Sequence, residues 1–68
     1  MKTYQMRIRQ LGWDRPMELI AEMRSDRRAI DFARQRLTEQ PRILDIEVWS
    51  GLTQLCRLQR GGAQAQAA

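Results

Sequence analysis

The sequence contains no histidine and only one cysteine, Cys56. Without histidine the chain has no side chain whose ordinary pKa lies near neutral pH, and no Ser–His or Cys–His nucleophile pair can form. The same absence excludes a zinc site built from cysteine and histidine. A lone cysteine cannot form a disulfide within the chain, and it is typical of proteins from a reducing compartment.

Other catalytic signatures are missing as well. The sequence has no Gly-rich phosphate-binding loop, and the pair Gly61-Gly62 follows the last predicted strand. Cys56 lies in that strand, where we expect a buried structural thiol rather than a reactive one. Acidic pairs such as Glu18 and Glu22 have arginines on neighbouring strands to neutralise them. We therefore expect no enzymatic activity, no cofactor and no metal ion.

The chain also lacks a long apolar run. Polar residues interrupt its first segment, MKTYQMR, whereas a secretory signal needs roughly 7–15 consecutive apolar residues. A membrane-spanning helix needs about 18 of them. We expect a cytoplasmic protein that does not insert into membranes.

With 68 residues the chain is expected to form one small soluble domain. A chain of this length buries only about 60% of the surface that its unfolded form exposes, so its stability is marginal. No disulfide or Cys/His zinc site is available to reinforce it, which favours a core completed by a second copy of the chain. The formal net charge of +4 is spread along the sequence without a dense basic cluster, as on an ordinary solvated surface.

What is present is a pattern of strands around one helix. Alternation of apolar and polar residues predicts the strands, and Ser50-Gly51 is the expected turn of the second hairpin. Residues 17–24 also suit a helix by composition, and we favour the strand. Ser25 is a good N-cap for the helix, and Pro41 ends it. The prediction is strands over residues 3–11, 17–24, 43–49 and 52–59, and a helix over residues 25–40.

These elements indicate an α+β fold of the ββαββ type. A four-stranded, mostly antiparallel sheet would carry the helix on one face. Because the helix connects the second strand to the third, the right-handed crossover rule favours a β-grasp-like strand order, 2-1-4-3, although side-by-side hairpins in another order remain open. Residues 1–60 form the single domain, and residues 61–68 are expected to be a disordered tail.

The inward faces of these elements predict the core. On the helix the apolar stripe follows a 3.6-residue period, and on the strands it follows a period of two. The side chains expected to be buried are Tyr4, Met6, Ile8, Leu19, Ala29, Ile30, Ala33, Leu37, Leu44, Ile46 and Val48.

One helix can cover only one face of the sheet, and the other face is left open. Most side chains expected there are charged with both signs, and three are apolar. We interpret this face, or an exposed strand edge, as the surface of a non-catalytic protein-interaction module that binds a protein partner or forms a homodimer. The alternative is nucleic-acid binding by arginine and tryptophan on the same face. The expected partner-binding residues are Arg7, Arg9, Ile20, Trp49, Leu55 and Arg57.

The composition of this face bears on those alternatives. Four acidic side chains, Glu18, Glu22, Asp45 and Glu47, are expected on it, and Trp49 is its only predicted aromatic residue. Both features disfavour nucleic-acid binding. A purely structural role for Trp49, which would cover its neighbours at the strand end, is a further alternative.

The helix and the second hairpin also carry a recognisable pattern. The helix has the form D-x-x-A-x-x-x-A-R, and the hairpin has the form I-E-V-W-x-G. In both segments the chain resembles short uncharacterised bacterial proteins with a ββαββ arrangement. The resemblance implies the same fold and leaves the function open. The matching residues are Asp26, Ala29, Ala33, Arg34, Ile46, Glu47, Val48, Trp49 and Gly51.

Overall fold

The computed structural model describes residues 1–60 and 64–66 of the chain. The α+β class is confirmed, with one helix and an antiparallel sheet in ββαββ order, to which a short fifth strand is added. Within the described residues no helix has the length and apolar composition needed to cross a membrane. The elements are β1 (Lys2–Gln10), β2 (Met17–Met23), α1 (Asp26–Glu39), β3 (Ile43–Ser50), β4 (Thr53–Gln59) and β5 (Gln64–Gln66).

The strand order is β2-β1-β3-β4-β5, and every neighbouring pair is antiparallel. The expected β-grasp-like order 2-1-4-3 is therefore wrong, because β3 rather than β4 lies beside β1. In the observed order the strand that carries Ile43, Ile46 and Val48 is central, and these side chains are buried. The order also avoids the parallel pair of β1 and β4 that the other arrangement requires, and parallel pairing is slightly less stable per residue.

Both ends of α1 are capped by side chains. At the start, the Ser25 Oγ accepts a hydrogen bond from the Arg28 amide at 3.3 Å, as its N-cap role predicted. Asp26 in the first turn adds a favourable charge at the positive end of the helix dipole. At the other end the Arg60 guanidinium donates hydrogen bonds to carbonyl oxygens of the last helical turn, of the C-cap residue and of the first residue of β3. Its acceptors belong to Leu37, Gln40 and Ile43.

Most of the predicted core is confirmed. Leu19, Ile30 and Leu37 are half-buried and pack against the fully buried residues. Cys56 and Leu58 of β4 complete the core. The predicted residues that are buried are Tyr4, Met6, Ile8, Ala29, Ala33, Ile46 and Val48.

The prediction for Leu44 is wrong. Its side chain is 38% exposed, and Ile43 lies in the core instead. A bulge in β3 explains the exchange, because Arg9 pairs with Asp45 and Gln10 pairs with Ile43, so that Leu44 has no partner in β1. The extra residue shifts the alternation by one position, since successive side chains of a strand point to opposite faces.

The second hairpin turns one residue later than predicted. Ser50 pairs with Thr53, so the two turn residues are Gly51 and Leu52. Gly51 has a φ of 60°, a left-handed value that glycine adopts without strain and that a tight hairpin turn requires.

The segment after β4 is described only in part. Residues 64–66 form β5, which pairs with β4. The rest of the tail predicted over residues 61–68, namely 61–63 and 67–68, lies outside the described residues.

Candidate interaction surface

The open face is the side of the sheet opposite α1. A row of alternating charge crosses it, and each member is in register with the next: Glu18 on β2, Arg7 on β1, Glu47 on β3 and Arg57 on β4. The Arg7 Nε lies 3.7 Å from the Glu18 Oε2. Opposite charges at facing strand positions attract, so this row supports the observed strand order.

Asp45 is the buried charge of the open face, with only 3% of its surface exposed. Its Oδ2 lies 3.3 Å from the Arg9 Nε and 3.3 Å from the Arg57 Nη2. Its Oδ1 has no hydrogen-bond partner among the described residues. Two guanidinium groups thus compensate one buried carboxylate, and burial of a charge requires such compensation.

The three arginines predicted to bind a partner are therefore engaged within the chain. Arg7 pairs with Glu18 of β2, while Arg9 and Arg57 share the Asp45 carboxylate of β3. The carboxylates of Glu18, Glu47 and Asp45 therefore balance the positive charges of these three arginines. Because nucleic-acid affinity depends on excess positive charge, these balanced charges disfavour the binding of a nucleic-acid strand across the open face.

The structure separates the three predicted apolar contact residues. Ile20 lies on β2 and is 70% exposed. Trp49 is half-buried on β3, and its Nε1 donates a 3.0 Å hydrogen bond to the Glu47 Oε1. Gln5 lies between Ile20 and Trp49 in the register, so these two share a row without being direct neighbours. Leu55 is half-buried at a bulge in β4 and packs against the core, outside that row.

The edge strand β2 is incompletely covered on its helix side. The helix packs mainly over β3 and β4. Met17, Leu19 and Met23, which pack toward the core, are consequently only half-buried. A cavity of about 300 Å³ opens between Met23 and Phe32 of the helix. Together with the exposed Ile20, β2 presents apolar side chains on both of its faces.

The sequence pattern predicts Ile20 on the binding surface but does not single out the helix-side residues of β2. The signal was present in the alternation of Met17, Leu19 and Met23. The same alternation occurs whether a helix covers this side of the strand fully or only in part. Only the lateral position of α1 over the sheet decides how much of these side chains stays exposed.

The chemistry of Cys56 is that of a structural thiol. Burial raises the pKa of the Cys56 thiol, and the positive charge of Arg34 lowers it by a smaller amount. A buried, neutral thiol is a poor nucleophile and a poor metal ligand. In the part of the chain that the structure describes, no group of three or more acidic, cysteine or histidine side chains is arranged to hold a metal ion.

Comparisons with protein-family models, with curated proteins and with solved structures return no match to this chain. The chemistry of its own surface is therefore the basis for assigning a function.

Proposed function

We propose that this chain is a non-catalytic interaction module whose partner is a second copy of itself, bound through the edge strand β2. The observation that carries the proposal is apolar exposure on both faces of an edge strand. Ile20 is 70% exposed on the open face, and Met17, Leu19 and Met23 are only half-buried on the helix side. Side-by-side packing against a second copy would cover part of this surface, and each Å² of apolar area covered is favourable by about 25 cal/mol.

The outer edge of β2 also offers backbone groups for pairing. Among the described residues, β2 pairs with β1 alone, so its outward N–H and C=O groups face no other strand. The strand has seven residues and contains no proline. Such an edge readily accepts a further strand. Antiparallel pairing of two β2 strands would join the two copies in one continuous sheet.

The charges around β2 favour one register of this pairing. With the twofold axis at Ala21, Glu18 faces the partner's Arg24, and symmetry makes the contact twice. With the axis at Ile20, Glu18 would face the partner's Glu22. Like charges at facing positions are destabilising, so the pairing centred on Ala21 is preferred.

Sedimentation equilibrium over a range of protein concentrations tests the proposal. We expect a monomer–dimer equilibrium that Ile20→Glu weakens, because the new carboxylate would face the partner's Glu22. The matched control is Leu52→Glu, since Leu52 is 98% exposed on the β3–β4 turn, outside β2. A parent chain that stays monomeric at the highest concentration, or an equal loss of dimer with Leu52→Glu, would contradict the proposal.

Further variants separate edge pairing from contact between two open faces. Arg24→Glu should weaken the dimer by setting like charges opposite each other, whereas Arg27→Glu makes the same charge change on α1 and should not. Trp49→Glu should leave the dimer intact, because Trp49 lies two strands in from the edge. If Trp49→Glu dissociates the dimer and Ile20→Glu does not, the open face joins the copies instead of β2.

A further inference from the structure

A cavity of about 310 Å³ lies where the loop between β1 and β2 meets the start of β3. Its volume is at the lower end of the range for small-molecule sites, about 300–1,000 Å³. Its walls combine an indole, an aliphatic side chain, two guanidinium groups and a carboxylate. These belong to Trp13, Leu44, Arg9, Arg15 and Asp14.

Irregular backbone features place these walls. The bulge in β3 turns Leu44 out of the core and into the cavity lining. In the loop, Gly12 has a φ of 84°, which allows the chain to turn sharply before Trp13. The Leu11 amide donates a 2.8 Å hydrogen bond to the Arg42 carbonyl, which ties this loop to the connection between α1 and β3. Bulges commonly re-aim a side chain beside a functional site.

The aromatic wall is not explained by packing of the core. Trp13 is 56% exposed, and neither Trp13 nor Leu44 belongs to the buried cluster. An exposed indole presents a flat apolar surface on which another aromatic ring can stack.

Each of the two arginines of the cavity has guanidinium N–H donors that can bind an anion. Arg9 is held in place through its Nε, which lies 3.3 Å from the Asp45 Oδ2, and its side chain remains 54% exposed. Among the described residues, Arg15 has no carboxylate within ion-pair distance. A guanidinium group binds phosphate oxygens through two parallel N–H donors.

We propose that this cavity binds a nucleoside monophosphate, either free or as one residue of a single-stranded RNA. The base stacks on Trp13, the phosphate accepts hydrogen bonds from Arg9 and Arg15, and the Asp14 carboxylate accepts hydrogen bonds from ribose hydroxyl groups. Inorganic phosphate would leave the indole unused, and an uncharged aromatic molecule would leave both guanidinium groups unused. No residue of β2 lines the cavity, so nucleotide binding here does not require self-association.

Fluorescence titration of the full chain tests this site. The chain has two tryptophans, so Trp49→Phe leaves Trp13 as the reporter. Adenosine monophosphate should quench its emission saturably, whereas adenosine and inorganic phosphate should bind at least about tenfold more weakly, because each lacks one set of contacts. Oligoadenylate is the fourth probe. If oligoadenylate binds more tightly than adenosine monophosphate, with a steep salt dependence, the ligand of the cavity is a residue of an RNA strand. If the two bind with equal affinity, the ligand is the free nucleotide.

Arg15→Ala should weaken binding of adenosine monophosphate by about tenfold, with circular dichroism unchanged because Arg15 is exposed. Arg27→Ala removes an exposed arginine of α1 and should leave the affinity as in the parent. The proposal is overturned by the absence of saturable quenching with both adenosine monophosphate and oligoadenylate. It is also overturned if Arg15→Ala binds like the parent, or if adenosine binds as tightly as its monophosphate.

Discussion

The Tyr4 hydroxyl donates a 2.6 Å hydrogen bond to the Oδ1 of Asp26, which lies 22 residues further along the chain. Tyr4 is fully buried on β1, and Asp26 begins α1. The Lys2 Nζ lies 3.8 Å from the same carboxylate oxygen. This contact satisfies the one polar atom of a buried aromatic side chain and anchors the start of the helix to the sheet.

The Tyr4 contact predicts a stability loss in alkaline solution. Burial, with a smaller contribution from Asp26, raises the pKa of Tyr4 from 10.0 to about 12. Because the folded state favours the neutral phenol, the contribution of Tyr4 to the free energy of unfolding is complete below pH 10. This contribution is lost as the pH rises toward 12. Tyr4 is the only tyrosine, so its ionisation can be followed by absorbance alone. Tyr4→Phe should lower the Tm by a few degrees near neutral pH and remove this loss of stability at alkaline pH. A titration midpoint of the Tyr4 phenol near pH 10 in the folded chain would contradict the burial argument.

The cluster around Asp45 predicts that removing the carboxylate charge destabilises the fold less than removing both of its arginine partners. Asp45→Asn should lower the free energy of unfolding by about 1–3 kcal/mol, because charge-assisted hydrogen bonds are lost. The double variant Arg9→Ala/Arg57→Ala should cost more, about 3–5 kcal/mol, because it leaves a buried carboxylate without compensation. Urea unfolding measures both, and adding Asp45→Asn to the double variant should recover part of the loss. Arg34→Ala, which breaks an exposed pair with Asp31, is the control and should cost less than about 1 kcal/mol.

The bulge in β3 predicts that two adjacent residues respond differently to truncation. Ile43→Ala should lower the free energy of unfolding by about 2–5 kcal/mol, because Ile43 is fully buried. Leu44→Ala should cost less than about 1 kcal/mol, because Leu44 is exposed to solvent at the cavity. Ile46→Ala, at a buried position without a bulge, is the reference for a core deletion. A larger cost for Leu44→Ala than for Ile43→Ala would show that β3 keeps regular alternation.

The contacts of Arg60 predict a weakened helix end when this side chain is removed. Its Nε lies 2.8 Å from the Ile43 carbonyl oxygen, and its Nη2 lies 2.6 Å from that of Gln40. Arg60→Ala should lower the free energy of unfolding by about 1 kcal/mol and speed amide exchange of Gln40, which bonds to the Arg36 carbonyl. Arg60→Lys keeps the charge but lacks the planar fork, so it should restore little of the protection. Unchanged exchange at Gln40 in Arg60→Ala would contradict the capping role.

Local patterns were sufficient to predict the elements. Residues 17–24 have a helix-like composition, but their apolar and polar residues alternate. Alternation with a period of two is typical of a half-buried strand, and the structure confirms a strand over Met17–Met23. Ser25 was recognised as the N-cap from its chemistry and position alone. The core residues of β1 and the alanines of α1 were also predictable, since each lies on the apolar side of a regular element. The candidate contact residues were less predictable: Ile20 is exposed as the pattern suggests, but Leu55 packs against the core.

The sequence by itself determined which segments form strands or helix and which side of most elements faces inward, because these depend on periodicity and capping within a few residues. Only the tertiary structure decided the strand order, the outward turn of Leu44, and the pairing of Asp45 with Arg9 and Arg57. It also decided how far α1 covers β2, and it brought Trp13 and Leu44 together at one cavity. Each of these depends on how segments far apart in the chain pack against each other. A one-residue bulge or a lateral shift of the helix changes such packing while the local pattern stays the same.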